Sequence, residues 1–430
     1  MAVLAALSLV AAGCGKSKTE TASATCVSAP KLSALGSTTR SLPGGISMAG
    51  QITASRTFAS AAKPVVKIGF IGDLTGSNSN LVTPGANGAK LAIAEANAKG
   101  DLPVTIEFAP KDNKEANPTT APGIAQGLIN DRGVIAVIGP AFSGETSAVQ
   151  PLFKAAGITH ITQSATRDDL TSGGFTTFFR GLASNFDEAS AAAKIVKKLG
   201  CTKAAVIDDK SAYGQDLGST AATKFPFAGA KIVDRESIAP ATDYTSLVDT
   251  LITKKPDIVF YGGYEPQASI LLKQMREKGV KALFMGGDGM KDIKFGPDAG
   301  VTNSEGAIAV APARDPNVAN DEASKTFVKD YTAKYKVAPD IYAPEGFDIA
   351  NIYIAGIAEC GKGGASAVTR ACVLKFVTDL KDFKGLTKTF GWTTDPKALH
   401  EVTDKFMNVY QIVGKNGVFV LLGEITQVAP

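Results

Sequence analysis

Val65-Val66-Lys67-Ile68-Gly69-Phe70-Ile71 is an almost unbroken apolar run, closed by Gly72 and Asp73, and its reading decides the fold. A strand with one wet face would alternate; this one does not. Both faces are therefore covered, as in a parallel sheet held between layers of helices. Working outward, residues 86–99 have helical spacing, 104–108 alternate, 116–131 are helical and 134–138 are again apolar. After Arg180 the rhythm restarts, with helices over 187–199 and 268–278 and strands at 204–207, 231–233, 257–261 and 282–285. Strands separated by helix-length segments need crossover connections. The expected class is α/β, with two similar lobes around parallel central sheets.

The later chain predicts how the lobes are joined. After a strand at 307–311, helices over 322–335 and 346–358 return to the first lobe, and strands at 387–392 and 406–413 head back to the second. Lobe 1 is read as 64–181 plus 312–391, and lobe 2 as 182–311 plus 392–430, with hinges near 181–185, 312–315 and 391–394. The helix from Gly346 starts close to Tyr342 and Glu345, which this reading brings near the cleft.

A chain of 430 residues exceeds what one hydrophobic core usually serves. With 44% hydrophobic and 20% charged residues it is a globular composition, neither disordered nor fibrous. The net charge of +4 is spread among interleaved acids and bases, which argues against nucleic acid as a partner.

Residues 2–12 are apolar and run into Gly13-Cys14-Gly15-Lys16. That stretch is too short to span a bilayer and has the form of an export signal. Ala11-Ala12-Gly13-Cys14 resembles a bacterial lipobox, although Ala11 stands where Leu is usual. We expect a signal peptide over 1–13, a lipid on Cys14 and a Ser/Thr/Ala/Gly-rich tether over 14–63, with the lipid as the sole membrane contact.

Ligands of such sheets bind beyond the carboxyl ends of the strands. There the sequence places Ser143, Ser164 and Thr166 from the first lobe, and Tyr213, Tyr264 and Asp288 from the second. A helix start with small hydroxyl residues suits an anion, because unpaired N–H groups and the positive helix end converge on it. A carboxylate opposite suits a cation. Together they suit an amino acid. Singly each has a plainer account: Ser143 as a helix cap, Thr166 as a turn cap, the tyrosines as interface aromatics, Asp288 as a turn residue between Gly287 and Gly289.

The segment from Lys67 to Gly76, Asn87-Gly88-Ala89, Ile138-Gly139-Pro140, Tyr213-Gly214, Tyr261-Gly262-Gly263-Tyr264 and Phe284-Met285-Gly286-Gly287-Asp288-Gly289 together resemble the periplasmic leucine/isoleucine/valine-binding proteins. These are solute receptors of branched-chain amino acid ABC importers, type I periplasmic binding proteins with two Rossmann-like lobes on a three-stranded hinge. The resemblance implies that Ser143 binds the ligand carboxylate, that Ser164 and Thr166 grip carboxylate and ammonium, and that Asp288 takes the ammonium with one methylene fewer than the family's usual Glu. Tyr213 and Tyr264 would cover the ligand. Leu81 departs from an aromatic position against the ligand side chain, and Phe142 from a Cys. The expectation is a monomeric, lipid-anchored extracytoplasmic receptor that delivers a small amino acid-like ligand to permease subunits; the alternative is a sensor of the same fold.

Signatures of catalysis are thin. The 2 histidines, His160 and His400, lie far apart without metal-ligand spacing, and Ser143 is not in a G-x-S-x-G elbow. No G-x-x-x-x-G-K-S/T loop is present. No enzyme activity, metal or cofactor is expected. Of the other cysteines, Cys360 and Cys372 flank a Gly-rich turn between helices and could be bridged, the other possibility being two buried thiols. Cys26 and Cys201 are read as unpaired.

Overall fold

The computed structural model describes residues 63–430 together with Cys26. The signal, Cys14 and nearly all of the expected tether lie outside the described residues. Strand β1 (Val65–Gly72) lies inside a five-stranded parallel sheet ordered β2-β1-β3-β4-β5, second from one edge, with β2 (Thr105–Asp112), β3 (Val134–Ile138), β4 (Thr159–Thr162) and β5 (Phe178–Arg180). Phe70 pairs with Pro110 on one side and Ile138 on the other, and Ile68, Phe70 and Ile71 are wholly buried. The unbroken apolar run thus meets helices on both sides.

A second sheet, ordered β14-β13-β10-β9-β8-β6-β7, contains β6 (Lys203–Asp208), β7 (Lys231–Ser237), β8 (Ile258–Gly262), β9 (Leu283–Gly286) and β10 (Ile308–Ala311). Those five are parallel, as expected of a central sheet, and β13 (Asn408–Ile412) and β14 (Phe419–Glu424) are added at one edge, antiparallel to their neighbours. A short connection to β14 permits a hairpin there, whereas a parallel pair would need a crossover.

Between β10 and β13 the chain returns to the first sheet. Helix Ala343–Gly361 lies on helix Ser79–Lys99, and Tyr353 donates from its hydroxyl to the carbonyl of Val137 at 2.7 Å. The helix 79–99 begins earlier than its spacing indicates, continuing through Pro84. Close backbone approach explains its glycines: a Cβ at Gly88 would strike the carbonyl of Ala343, and one at Gly346 the carbonyl of Gly85.

The expected strand over 387–392 is corrected. Only β12 (Thr389–Phe390) forms there, paired with β11 (Phe383–Lys384) in a separate two-stranded sheet rather than joining the second. The buried carboxylate of Asp348 holds it back, accepting from Thr387 N–H at 2.8 Å and Thr387 Oγ1 at 2.6 Å.

Two disulfides are present among the described residues. Cys360–Cys372 joins helix Ala343–Gly361 to helix Arg370–Thr378, as the turn between them allowed. Cys26–Cys201 corrects the reading of those two as unpaired. Spacing along the chain carried no sign of it, because 175 residues separate the partners and only the fold brings Cys201 to the place where Cys26 lies. No helix among the described residues is long and apolar enough to cross a membrane.

Candidate functional site

The two sheets present their carboxyl ends to one cleft. Leu81, Val82, Ala141, Phe142, Ser143 and Ser164 line it from the first lobe, and Tyr213, Tyr264, Asp288 and Gly289 from the second, around about 280 Å³ of space partly continuous with solvent. Tyr342 completes the wall.

On the first side, the loop after β3 is pinned from several directions. Gly139 N–H donates to Ile161 O at 2.7 Å, Ala141 N–H to Ile71 O at 3.1 Å, and Thr162 Oγ1 to Pro140 O at 2.8 Å. This delivers Ser143 as the first residue of helix Ser143–Ala156, whose opening N–H groups have no acceptor within the helix. Ser143 Oγ accepts from Arg167 N–H at 3.3 Å, leaving its proton for another acceptor; its side chain does not cap its own helix. Ser164 Oγ donates to Ala141 O at 2.7 Å. Behind them Glu145 accepts from Phe142 N–H at 3.2 Å and from the Asn113 amide, and burial pushes its carboxyl up to about 8. At neutral pH it is mostly protonated and does not cancel the positive helix end.

The second side is acidic. Asp288, 2% exposed, accepts from Gly289 N–H at 2.9 Å through Oδ1 and from the Tyr342 hydroxyl through Oδ2. Its own N–H donates to Glu188 Oε1 at 2.7 Å. Burial raises both carboxyls above the usual carboxylate range, and for Glu188 the neighbouring Asp288 adds to it. Tyr213 accepts from Gly289 N–H at 3.2 Å, and its ring lies 5.2 Å from that of Tyr264. A Cβ at Gly289 would press on Gly263 O at 2.8 Å and on both tyrosine rings, so only glycine fits this floor.

Contacts cross the cleft. Phe142 meets Tyr264 edge-on at 5.1 Å, Asp168 N–H donates to Asp216 Oδ2 at 3.0 Å, and Lys291 pairs with Asp340. The two lobes thereby bring seven of the eight residues expected to bind ligand to one cavity: Leu81, Phe142, Ser143, Ser164, Tyr213, Tyr264 and Asp288. Thr166 is not among the lining residues; it is wholly buried, and its hydroxyl has no hydrogen-bond partner among the described residues. Of the two residues at the start of helix Ala343–Gly361, Tyr342 reaches the cleft while Glu345 turns away to accept from Arg314 N–H at 2.8 Å. Glu188 was missed, since Asn185-Phe186-Asp187-Glu188 reads as an ordinary acidic first turn of a helix. No group of three or more His, Cys, Asp or Glu among the described residues could hold a metal ion.

This geometry, two sheet ends with opposed polarity around a small cavity, defines a receptor that encloses a small solute. Residues 65–417 match the family model of periplasmic binding proteins, and the chain belongs to that family. A Leu/Ile/Val-binding protein of Rhizobium johnstonii is 28% identical over 80% of this chain and 90% of its own, and one of Citrobacter freundii is 31% identical over 62% and 72%. Among solved structures, the branched-chain amino acid transporter substrate-binding protein of Streptococcus pneumoniae, in complex with isoleucine, is 26% identical. It superposes with a TM-score of 0.72 over 83% of this chain and 99% of its own. A solute-binding protein of an ABC transporter from R. palustris, in complex with benzoate, shares the fold at 22% identity, a TM-score of 0.72 and coverage of 85% and 97%. The family is extracytoplasmic and its members are solute-binding proteins rather than enzymes.

Proposed function

We propose that the protein captures an α-amino acid with a small apolar side chain, leucine, isoleucine or valine, and hands it to the permease subunits of an ABC importer. The observation that carries this reading is the opposition across one cavity of Ser143, at a helix N-terminus, and Asp288, a buried carboxylate. The ligand carboxylate takes the Ser143 hydroxyl and the helix N–H groups, and the ammonium takes Asp288. Leu81, Val82 and Phe142 supply an apolar wall for the side chain. Charge-assisted hydrogen bonds contribute roughly 1.5–3 kcal/mol each, so a handful reaches the ~8 kcal/mol of micromolar affinity. The names of the Rhizobium and Citrobacter relatives, and the isoleucine of the Streptococcus structure, support the same ligand class.

In this reading 64–181 with 312–391 and 182–311 with 392–430 move as two lobes about hinges where the chain passes between the sheets. Thr166, with its unpartnered hydroxyl, stands behind the carboxylate end, and a lipid on Cys14 keeps the monomeric receptor at the membrane. The test is a calorimetric panel of leucine, isoleucine, valine, polar amino acids and benzoate. Tight binding confined to the branched-chain amino acids is expected. Binding of benzoate with none of the amino acids would replace this reading by one in which Asp288 meets no cation.

A further inference from the structure

Asp288, which lines the cleft, already has a donor on each carboxylate oxygen. The Tyr342 hydroxyl bonds Oδ2, while Oδ1 is engaged by Gly289 N–H at 2.9 Å. The contact also spans the two lobes: Asp288 follows β9 of the second sheet, and Tyr342 caps helix Ala343–Gly361, which lies on the first. Tyr342 is held in place for it. The residue is 2% exposed and has φ +66°, a left-handed conformation that a bulky side chain keeps only where the surroundings impose it. Burial and the acids around it raise the phenol well above its ordinary value, so it stays a donor.

We propose that Tyr342 sets the affinity of the site as an internal competitor, its hydroxyl holding on Asp288 the place that a ligand's amino group must take. Ligand binding is then an exchange of donors. A neutral donor would gain little by replacing a phenol on a carboxylate, whereas an ammonium gains because charge-assisted bonds are roughly twice as strong. The affinity that remains is the difference between the two, which leaves the ligand easier to release. This rests on the amino acid reading above.

The test compares wild type with Tyr342→Phe, and with Tyr342→Met as a second chain lacking the hydroxyl, by calorimetry against leucine and against 4-methylpentanoate, leucine's skeleton without the amino group. In both variants leucine binding should gain about tenfold relative to 4-methylpentanoate, which shares whatever the altered wall does to the common skeleton. An equal change for both ligands would overturn the proposal, as would a loss for leucine relative to 4-methylpentanoate. A ligand-free arm separates its failure from that of the amino acid reading: the Asp288 carboxyl, followed by NMR, should titrate about one unit higher in Tyr342→Phe because a stabilising donor is gone. An unmoved midpoint would refute the contact itself. A moved midpoint in a protein that binds no amino acid would uphold the contact and reject the ligand.

Discussion

The two walls of the cleft solve opposite electrostatic problems by different means. The first uses no charged side chain in contact with the cavity: it offers the start of helix Ser143–Ala156, the hydroxyl of Ser143, and behind them a Glu145 kept mostly neutral by burial. The second buries two carboxyls, Asp288 and Glu188, beside the phenols of Tyr213 and Tyr264, and Tyr342 reaches Asp288 from the first lobe. An anion can be held by dipoles already fixed in the backbone, with little added desolvation. A cation in a dry site needs a real negative charge, which must itself be desolvated and supported. Hence the acidic wall depends on single residues more than the neutral one does.

The largest effect should come from breaking the acidic wall. Asp288→Asn keeps the shape but removes the charge opposite the ammonium, and loss of one partner of a buried ion pair costs about 2–5 kcal/mol, or at least ~30-fold in affinity. Calorimetry with leucine checks it, and a loss under threefold would take Asp288 out of the site. On the other wall Ser143→Ala removes one donor among several. A loss of about tenfold is expected for leucine, with none for isopentylamine, which has no carboxylate.

A smaller effect sharpens the contrast by pH. Because burial raises the carboxyl of Asp288, it takes up a proton above the ordinary carboxylate range as acid is added. Leucine affinity should fall with decreasing pH from above that range, and Asp288→Asn should flatten the profile. A wild-type affinity constant down to pH 4 would contradict a charged partner there. The smallest effect concerns Glu145, raised to about 8 from 4.5. A group raised on folding contributes stability that is fully present below 4.5 and is lost as pH climbs through about 8. Glu145→Gln should therefore gain on wild type in chemical denaturation between those limits, with leucine affinity changed less than twofold; parallel profiles would mean that Glu145 is ionised throughout.

What was legible in the sequence follows the same division. The unbroken run 65–71 revealed a strand buried on both faces, and strand-end loops announced Ser143 and Asp288, because backbone geometry and ligand chemistry meet at fixed places along the chain. Contacts made at long range were silent. Glu188 lies 100 residues from the Asp288 amide it accepts, and Cys26 lies 175 residues from Cys201. Pro84 concealed the start of helix 79–99, since a proline reads as a breaker until the packing of Gly88 on Ala343 is known. At 387–392 the pattern of a strand was present, but the buried Asp348 decided which sheet it could join.

A crystal structure of the protein grown with leucine tests the central claim most directly. The account predicts one leucine between the lobes, its carboxylate on Ser143 and the N-terminus of helix Ser143–Ala156, its ammonium within hydrogen-bonding distance of Asp288. Leucine bound the other way round, or elsewhere on the molecule, would contradict it.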